Sequence, residues 1–237
     1  MNEVCQYCKH NICIHRVPIF STLSKEALFH IIPLIQRSKY EKGQRLVSEG
    51  DSIDSLIIIN HGSVKAFKTT PDGREQILYV FSEGDFFGET NLLGNQRSNY
   101  HVEALENVFT CALNRTQFET LIRTHPEIAL KIIEELGRRI NAMEASMQSI
   151  GVRSINARIA ALLCEYQEKF SENTESGIIL HLPLSREGMA NSLGIARETL
   201  SRKLGQFESK GIIRSLNNKT MMVLQPEELQ NLAGYSE

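Results

Sequence analysis

The hydrophobic pattern changes period twice along the chain. Between residues 43 and 94 lie seven of its fifteen glycines: Gly43, Gly50, Gly62, Gly73, Gly84, Gly88 and Gly94. They separate short β-branched and aromatic runs at 56–59, 64–67 and 77–81, and a further run follows at 108–113. Gly50-Asp51, Asp72-Gly73 and Gly84-Asp85 form turn pairs between them. Short strands punctuated in this way predict an antiparallel barrel or roll. Ahead of them, Leu23, Ala27, Leu28, Ile31 and Ile32 predict a short helix within 23–35, with Ser24 as N-cap.

After His125-Pro126 the period becomes helical. Ala129, Ile133, Leu136, Ile140, Met143, Met147 and Ile150 recur at spacings of 4, 3, 4, 3, 4 and 3. So narrow and regular a seam predicts a partner helix, most simply the same helix of a second copy, so a homodimer is expected across Ile133, Leu136, Ile140, Met143, Met147 and Ile150. Gly151 is expected to interrupt this helix. A further helix is predicted over 155–170 and a polar loop over 171–177.

Near the C-terminus, Ser185 caps a predicted helix ending at Leu193, Gly194 makes a turn, and a second helix runs from about 196 to 210. Ala190 and Gly194 stand at the fifth and ninth positions of a helix-turn-helix counted from Arg186, where close helix crossing and positive φ are needed. Met189, Leu193, Ile195 and Leu200 take core positions, whereas Lys203 stands where an apolar residue is usual, with Leu204 beside it. On the second helix Glu198, Ser201 and Arg202 share a face. Arg donates two hydrogen bonds to guanine and Glu accepts from cytosine N4, so this face suits base reading in double-stranded DNA. Arg197 and Thr199 are placed to reach phosphate. Ile212-Ile213 and the run 221–224 flank Asn217-Asn218 as a two-stranded wing.

Net charge changes this picture little until it is localised. The whole chain carries -2, but residues 197–219 hold Arg197, Arg202, Lys203, Lys210, Arg214 and Lys219 against Glu198 and Glu208 alone. That is a local phosphate-attracting patch. No apolar run approaches the roughly 20 residues of a membrane span, and the N-terminus lacks a secretory layout, so a cytoplasmic protein is expected. No nucleophile–base pairing, phosphate loop or HExxH motif is present, and no enzyme is expected.

Cysteine usage adds the remaining chemistry. Cys5, Cys8 and Cys13 fall within nine residues, while Cys111 lies on the 108–113 run and Cys164 on the 155–170 helix. Four thiolates, three clustered and one remote, can hold an iron–sulfur cluster. The same thiols also permit a zinc site completed by His10 and His15, or a thiol–disulfide switch with Cys111.

Taken together, Glu49-Gly50-Asp51, Asp54, Gly62-Ser63-Val64, the run Gly84-Asp85-Phe86-Phe87-Gly88-Glu89, Arg138-Arg139 and the run Arg197-Glu198-Thr199-Leu200-Ser201-Arg202 resemble the Crp/Fnr family of transcription regulators. The resemblance implies an α+β chain: a Cys-rich segment at 1–16, a cyclic-nucleotide-binding-like antiparallel β-roll at 17–125, a long dimerisation helix at 126–152, and a winged helix-turn-helix at 153–237. It implies that Glu198, Ser201 and Arg202 read a TTGAT-like half-site, repeated as a palindrome, and that RNA polymerase is a partner if the protein activates. The Fnr-like subgroup holds an oxygen-labile [4Fe-4S] cluster with its fourth ligand in the roll, the position that Cys111 resembles. This chain has one residue fewer between its second and third cysteines. Gly88, Glu89, Arg97 and Ser98 resemble the phosphate-binding cassette of cAMP-responsive members, in which Glu bonds the ribose and Arg the cyclic phosphate. The alternative is that Glu89 and Arg97 pair with each other as structure. Met143 and Glu144 replace the hydroxyls that those members present to adenine.

Overall fold

The computed structural model describes residues 17–21, 23, 32–94, 96–152, 154–174 and 177–234. Cys5, Cys8, Cys13, His10, His15 and the helix expected from Ser24 lie outside these, apart from a 3-10 turn at Ile32–Leu34. The chain divides into two compact units, residues up to 68 with 78–140, and 69–77 with 141–237.

The first unit is an antiparallel roll of eight strands: β1 (Gln36–Tyr40), β2 (Arg45–Val47), β3 (Ser55–His61), β4 (Val64–Thr69), β5 (Glu75–Phe81), β6 (Phe86–Phe87), β7 (His101–Ala104) and β8 (Val108–Asn114). They form two sheets, ordered β1-β8-β3-β6 and β2-β7-β4-β5. Successive side chains of a strand point to opposite faces, so one strand can serve two cores. On β3, Leu56 and Ile58 join a cluster with Phe20, Leu113, Phe118 and Ile128. Ile59 joins the other cluster with Val64, Phe87, Val102 and Val108.

Three helices belong to this unit: α1 (Glu89–Gly94), α2 (Arg115–Thr124) and the first part of α3 (Pro126–Val152). The sequence pattern missed α2, whose start is set by a capping box: Asn114 accepts from the Gln117 backbone and the Gln117 side chain accepts from Asn114 N–H. On α3, Ile128 and Ile132 are buried. Ile133, Ile140 and Met143 of the seam, together with Leu130, are exposed at 63%, 55%, 47% and 63%. Leu136 departs from the expected seam, since it packs partly against its own unit's core. The Met147 and Ile150 side chains lie outside the described ones. Gly151 does not interrupt α3, which continues to Val152 before Ser154 caps the next helix. A single helical glycine costs only about 1 kcal/mol.

The second unit carries α4 (Ile155–Phe170), β9 (Ser171–Thr174), β10 (Gly177–His181), α5 (Arg186–Leu193), α6 (Arg197–Ser209), β11 (Ile213–Ser215), β12 (Thr220–Val223) and α7 (Pro226–Ala233). Two expectations change here. The polar segment after 170 is not a loop, because Ser171–Thr174 pairs with β10. The wing is not an isolated pair of strands, because β11 and β12 continue into a four-stranded sheet ordered β11-β12-β10-β9. Strand β9 is exposed at all four positions, so backbone pairing holds it and no hydrophobic alternation marks it.

Close backbone approach constrains the roll at Gly88, which has φ +92 and where a Cβ would lie 2.4 Å from the Ser55 carbonyl oxygen. Gly88→Ala is expected to lower stability by about 3 kcal/mol through backbone strain and overpacking. Gly43→Ala, at φ +83 with open space around it, is expected to cost about 1 kcal/mol. Urea unfolding of both variants measures the difference; equal losses would mean that the backbone at 88 yields.

Candidate nucleic-acid interface and sensor pocket

The helix-turn-helix follows from caps and apolar spacing. Ser185 accepts from Gly188 N–H at 3.1 Å and starts α5. Gly194 stops it in the left-handed conformation, φ 63 and ψ 37, with its N–H on the carbonyls of Ala190 and Asn191. Arg158 of α4 donates to the carbonyl of Leu193, satisfying another free acceptor at that helix end. Ala190 is 1% exposed, which lets the two helices cross closely.

On α6 the buried residues are Leu200, Leu204 and Phe207. Lys203 is half-buried and Leu204 fills the core in its place. With 3.6 residues per turn, the face opposite that stripe carries Glu198 and Arg202, both exposed, with half-exposed Ser201 on its flank. Arg197 is exposed beside them and Thr199 is half-buried. Ile195 is only half-buried, less than its expected core role requires.

The roll's pocket is organised differently from its expected pairing. Glu89, at the first position of α1, is 4% exposed. Its partner is Arg139 of α3 and not Arg97: Arg139 Nη1 donates to Glu89 Oε1 at 3.2 Å and Nη2 to the Phe86 carbonyl at 2.7 Å. Arg139 Nε also donates to Glu135 at 3.3 Å. The guanidinium lies 4.6 Å from the Phe86 ring centroid and 5.4 Å from that of Phe81. Burial pushes the Glu89 carboxyl above the usual range, and Arg139 opposes that shift. Its second oxygen, Oε2, is buried and has no hydrogen-bond partner among the described residues. Burial, reinforced by the Glu89 charge, raises the nearby Tyr100 hydroxyl.

Arg97 is exposed and donates to the Gly50 carbonyl at 2.8 Å. Ser98 is buried, its hydroxyl donating to the Tyr100 carbonyl at 2.7 Å. Met143 and Glu144 are exposed on α3. The doublet Arg138-Arg139 was the available signal for the true partner of Glu89, but spacing alone does not say which arginine turns inward.

Cys111 is 7% exposed and stands opposite Arg37 of β1 and Ile58 of β3. It faces the cluster that also contains Val17, Ile19, Phe20 and Leu23. Cys13 precedes Val17 by four residues, a reach of at most about 14 Å. Of the four thiols expected to hold a cluster, Cys111 is the one among the described residues; a thiol on a central strand suits a soft metal ligand, and Cys5, Cys8 and Cys13 lie outside the described residues. Cys164 is buried within α4 and burial pushes its thiol up to about 11, which suits an inert core residue.

Two family models match the chain, a cyclic nucleotide-binding domain over residues 37–125 and a Crp-like helix-turn-helix domain over 157–232. The chain is 30% identical to the fumarate and nitrate reduction regulatory protein of Vibrio cholerae, across 98% of this chain and 91% of that one. It is 29% identical to the probable transcriptional regulator flp of Lacticaseibacillus casei, across 93% and 98% of the two chains. Among solved structures, FixK2 from Bradyrhizobium japonicum matches with a TM-score of 0.74 at 24% identity, over 84% of this chain and 96% of that one. The two matched domains in this order, and the near full-length relatives, place the chain in the Crp/Fnr family of DNA-binding transcription regulators.

Proposed function

We propose that the protein is a homodimeric regulator that senses oxygen or redox state through a [4Fe-4S] cluster on Cys5, Cys8, Cys13 and Cys111 and reads a TTGAT-like palindrome. The observation that carries the sensor reading is the position of Cys111, on the helix-facing side of β8 in the cluster that contains Val17, Ile19, Phe20 and Leu23, which follow the N-terminal cysteines in sequence. When bound, such a cluster supplies a sulfur-rich, oxygen-sensitive redox centre. Cys111 would tether such a cluster to a central strand of the β1-β8-β3-β6 sheet, and Cys5, Cys8 and Cys13 would supply the other thiolates. The exposed apolar face Leu130, Ile133, Ile140 and Met143 supports pairing with a second copy. A two-fold dimer presents two recognition helices to a palindrome. If the dimer activates transcription, RNA polymerase is its further partner.

A second reading rests on the buried Glu89, whose unpartnered oxygen would accept a hydroxyl of a cyclic nucleotide. Against it, Arg97 already bonds Gly50, and by the family resemblance Met143 and Glu144 stand in sequence where cAMP-responsive members have hydroxyl side chains.

Purification without oxygen separates the readings. The expected product is brown, contains iron and sulfide, and bleaches in air; Cys111→Ser abolishes both colour and response. A colourless, iron-free protein that loses two mass units on oxidation would establish the disulfide switch instead, and zinc in that preparation the zinc site. Calorimetric uptake of cAMP by the wild type but not by Glu89→Ala would establish the second reading. At the DNA, Arg202→Ala is expected to cost about 1–3 kcal/mol at the guanine position and relax preference there. Equal weakening on random DNA would mean that Arg202 contacts only phosphate.

A further inference from the structure

An acidic side chain stands where the helix field disfavours one. Glu208 lies in the last turn of α6, beside the free carbonyls that make a helix C-terminus negative. It also lies in the most basic stretch of the chain, next to a DNA-reading face whose ligand is itself anionic. The donors that compensate for both come from two other elements. The backbone N–H of Ser215, on β11, donates to Glu208 Oε1 at 2.7 Å. The Ser215 hydroxyl receives a bond from Arg186 Nη2, at the first position of α5, at 3.3 Å. Hydrogen bonding from the Ser215 side chain and then its backbone N–H, with a smaller contribution from Arg186, holds the Glu208 carboxyl below the usual range. One serine thus joins the start of the first helix, the end of the recognition helix and the wing.

On the strand beyond this junction, Arg214 points away from Ile213 and Ser215 and is exposed; Lys219 is exposed at the far side of the turn. Among the described residues neither has an ion-pair partner. We propose that Glu208 is a positioning residue for DNA binding: through Ser215 it fixes the angle of the wing against α6, so that Arg214 and Lys219 meet the sugar–phosphate backbone flanking the bases that α6 reads. Glu208 itself touches no DNA. Neither the sensor reading nor the half-site reading is needed for this assignment, which rests on the helix-turn-helix alone.

The test uses the full-length protein on random-sequence duplexes, and on duplexes carrying the proposed half-sites with short or extended flanks. Wild type that shows no preference for the half-sites would overturn that reading, while the salt dependence on random DNA still tests the wing. For Glu208→Ala, log affinity against log salt is expected to lose about two in slope, the share of two phosphate contacts. Affinity at low salt falls roughly tenfold, and the gain from extended flanks disappears. Glu208→Gln, which keeps the acceptor for Ser215 N–H, is expected to restore most of the slope. Added to Arg214→Ala/Lys219→Ala, Glu208→Ala should cost little more. If Glu208→Ala melts below the assay temperature, Ser215→Ala, which keeps the backbone donor to Glu208 but removes the hydroxyl that Arg186 meets, is expected to lose a smaller part of the slope. An unchanged slope and flank gain, or fully additive losses, would overturn the proposal. So would lost base preference at the Arg202 position, which would assign the clamp to the recognition helix instead.

Discussion

The roll and its long helix depend on a carboxylate that water no longer solvates. Taking Glu89 into the interior costs several kcal/mol unless opposite charge and donors meet it. Arg139 supplies the charge, and the same guanidinium bonds Phe86 and Glu135 while covering the Phe86 ring. Because Glu89 begins α1 and Arg139 lies on α3, this one pair joins the pocket to the helix that carries the exposed apolar seam. Removing Arg139 leaves Glu89 buried without its counter-charge, a loss that typically costs about 3–5 kcal/mol, whereas Arg139 without Glu89 keeps Glu135.

DNA recognition rests on a separate constraint. The stripe Leu200, Leu204 and Phe207 must face inward, and a helix with one face buried has no freedom in which residues it presents outward. Glu198 and Arg202 are therefore presented outward by packing. The charge of -2 over the chain is compatible with this because phosphate responds to local potential within about a Debye length, roughly 8 Å at physiological salt.

Much of this was legible in the residues. Ser185, Ala190 and Gly194 at their spacings specify a capped helix, a close crossing and a left-handed stop, and the structure has each of them. The strands at 56–59, 64–67, 77–81 and 108–113 lie within β3, β4, β5 and β8 because Gly and Asp turns bound them. The misses share a cause. Strand β9 has no apolar position to give it a period, and α2 begins with a reciprocal side-chain cap on Asn114 and Gln117 and not with a hydrophobic stripe.

What the sequence determined by itself is whatever depends on neighbours within a turn or a strand: the periods, the caps, the turns, the basic patch and the outward face of α6. Tertiary structure alone decided which charges meet. Glu89 lies eight residues from Arg97 and fifty from Arg139, yet it bonds the distant one, because a buried charge pairs with whatever cation the fold brings inside. Ser215 likewise joins Arg186 and Glu208 through contacts distant in sequence, and Cys111 comes to share a cluster with Val17 and Phe20 through the parity of β8. Local periodicity is set by backbone geometry, whereas the partner of a desolvated group is set by the packing of elements far apart in the chain.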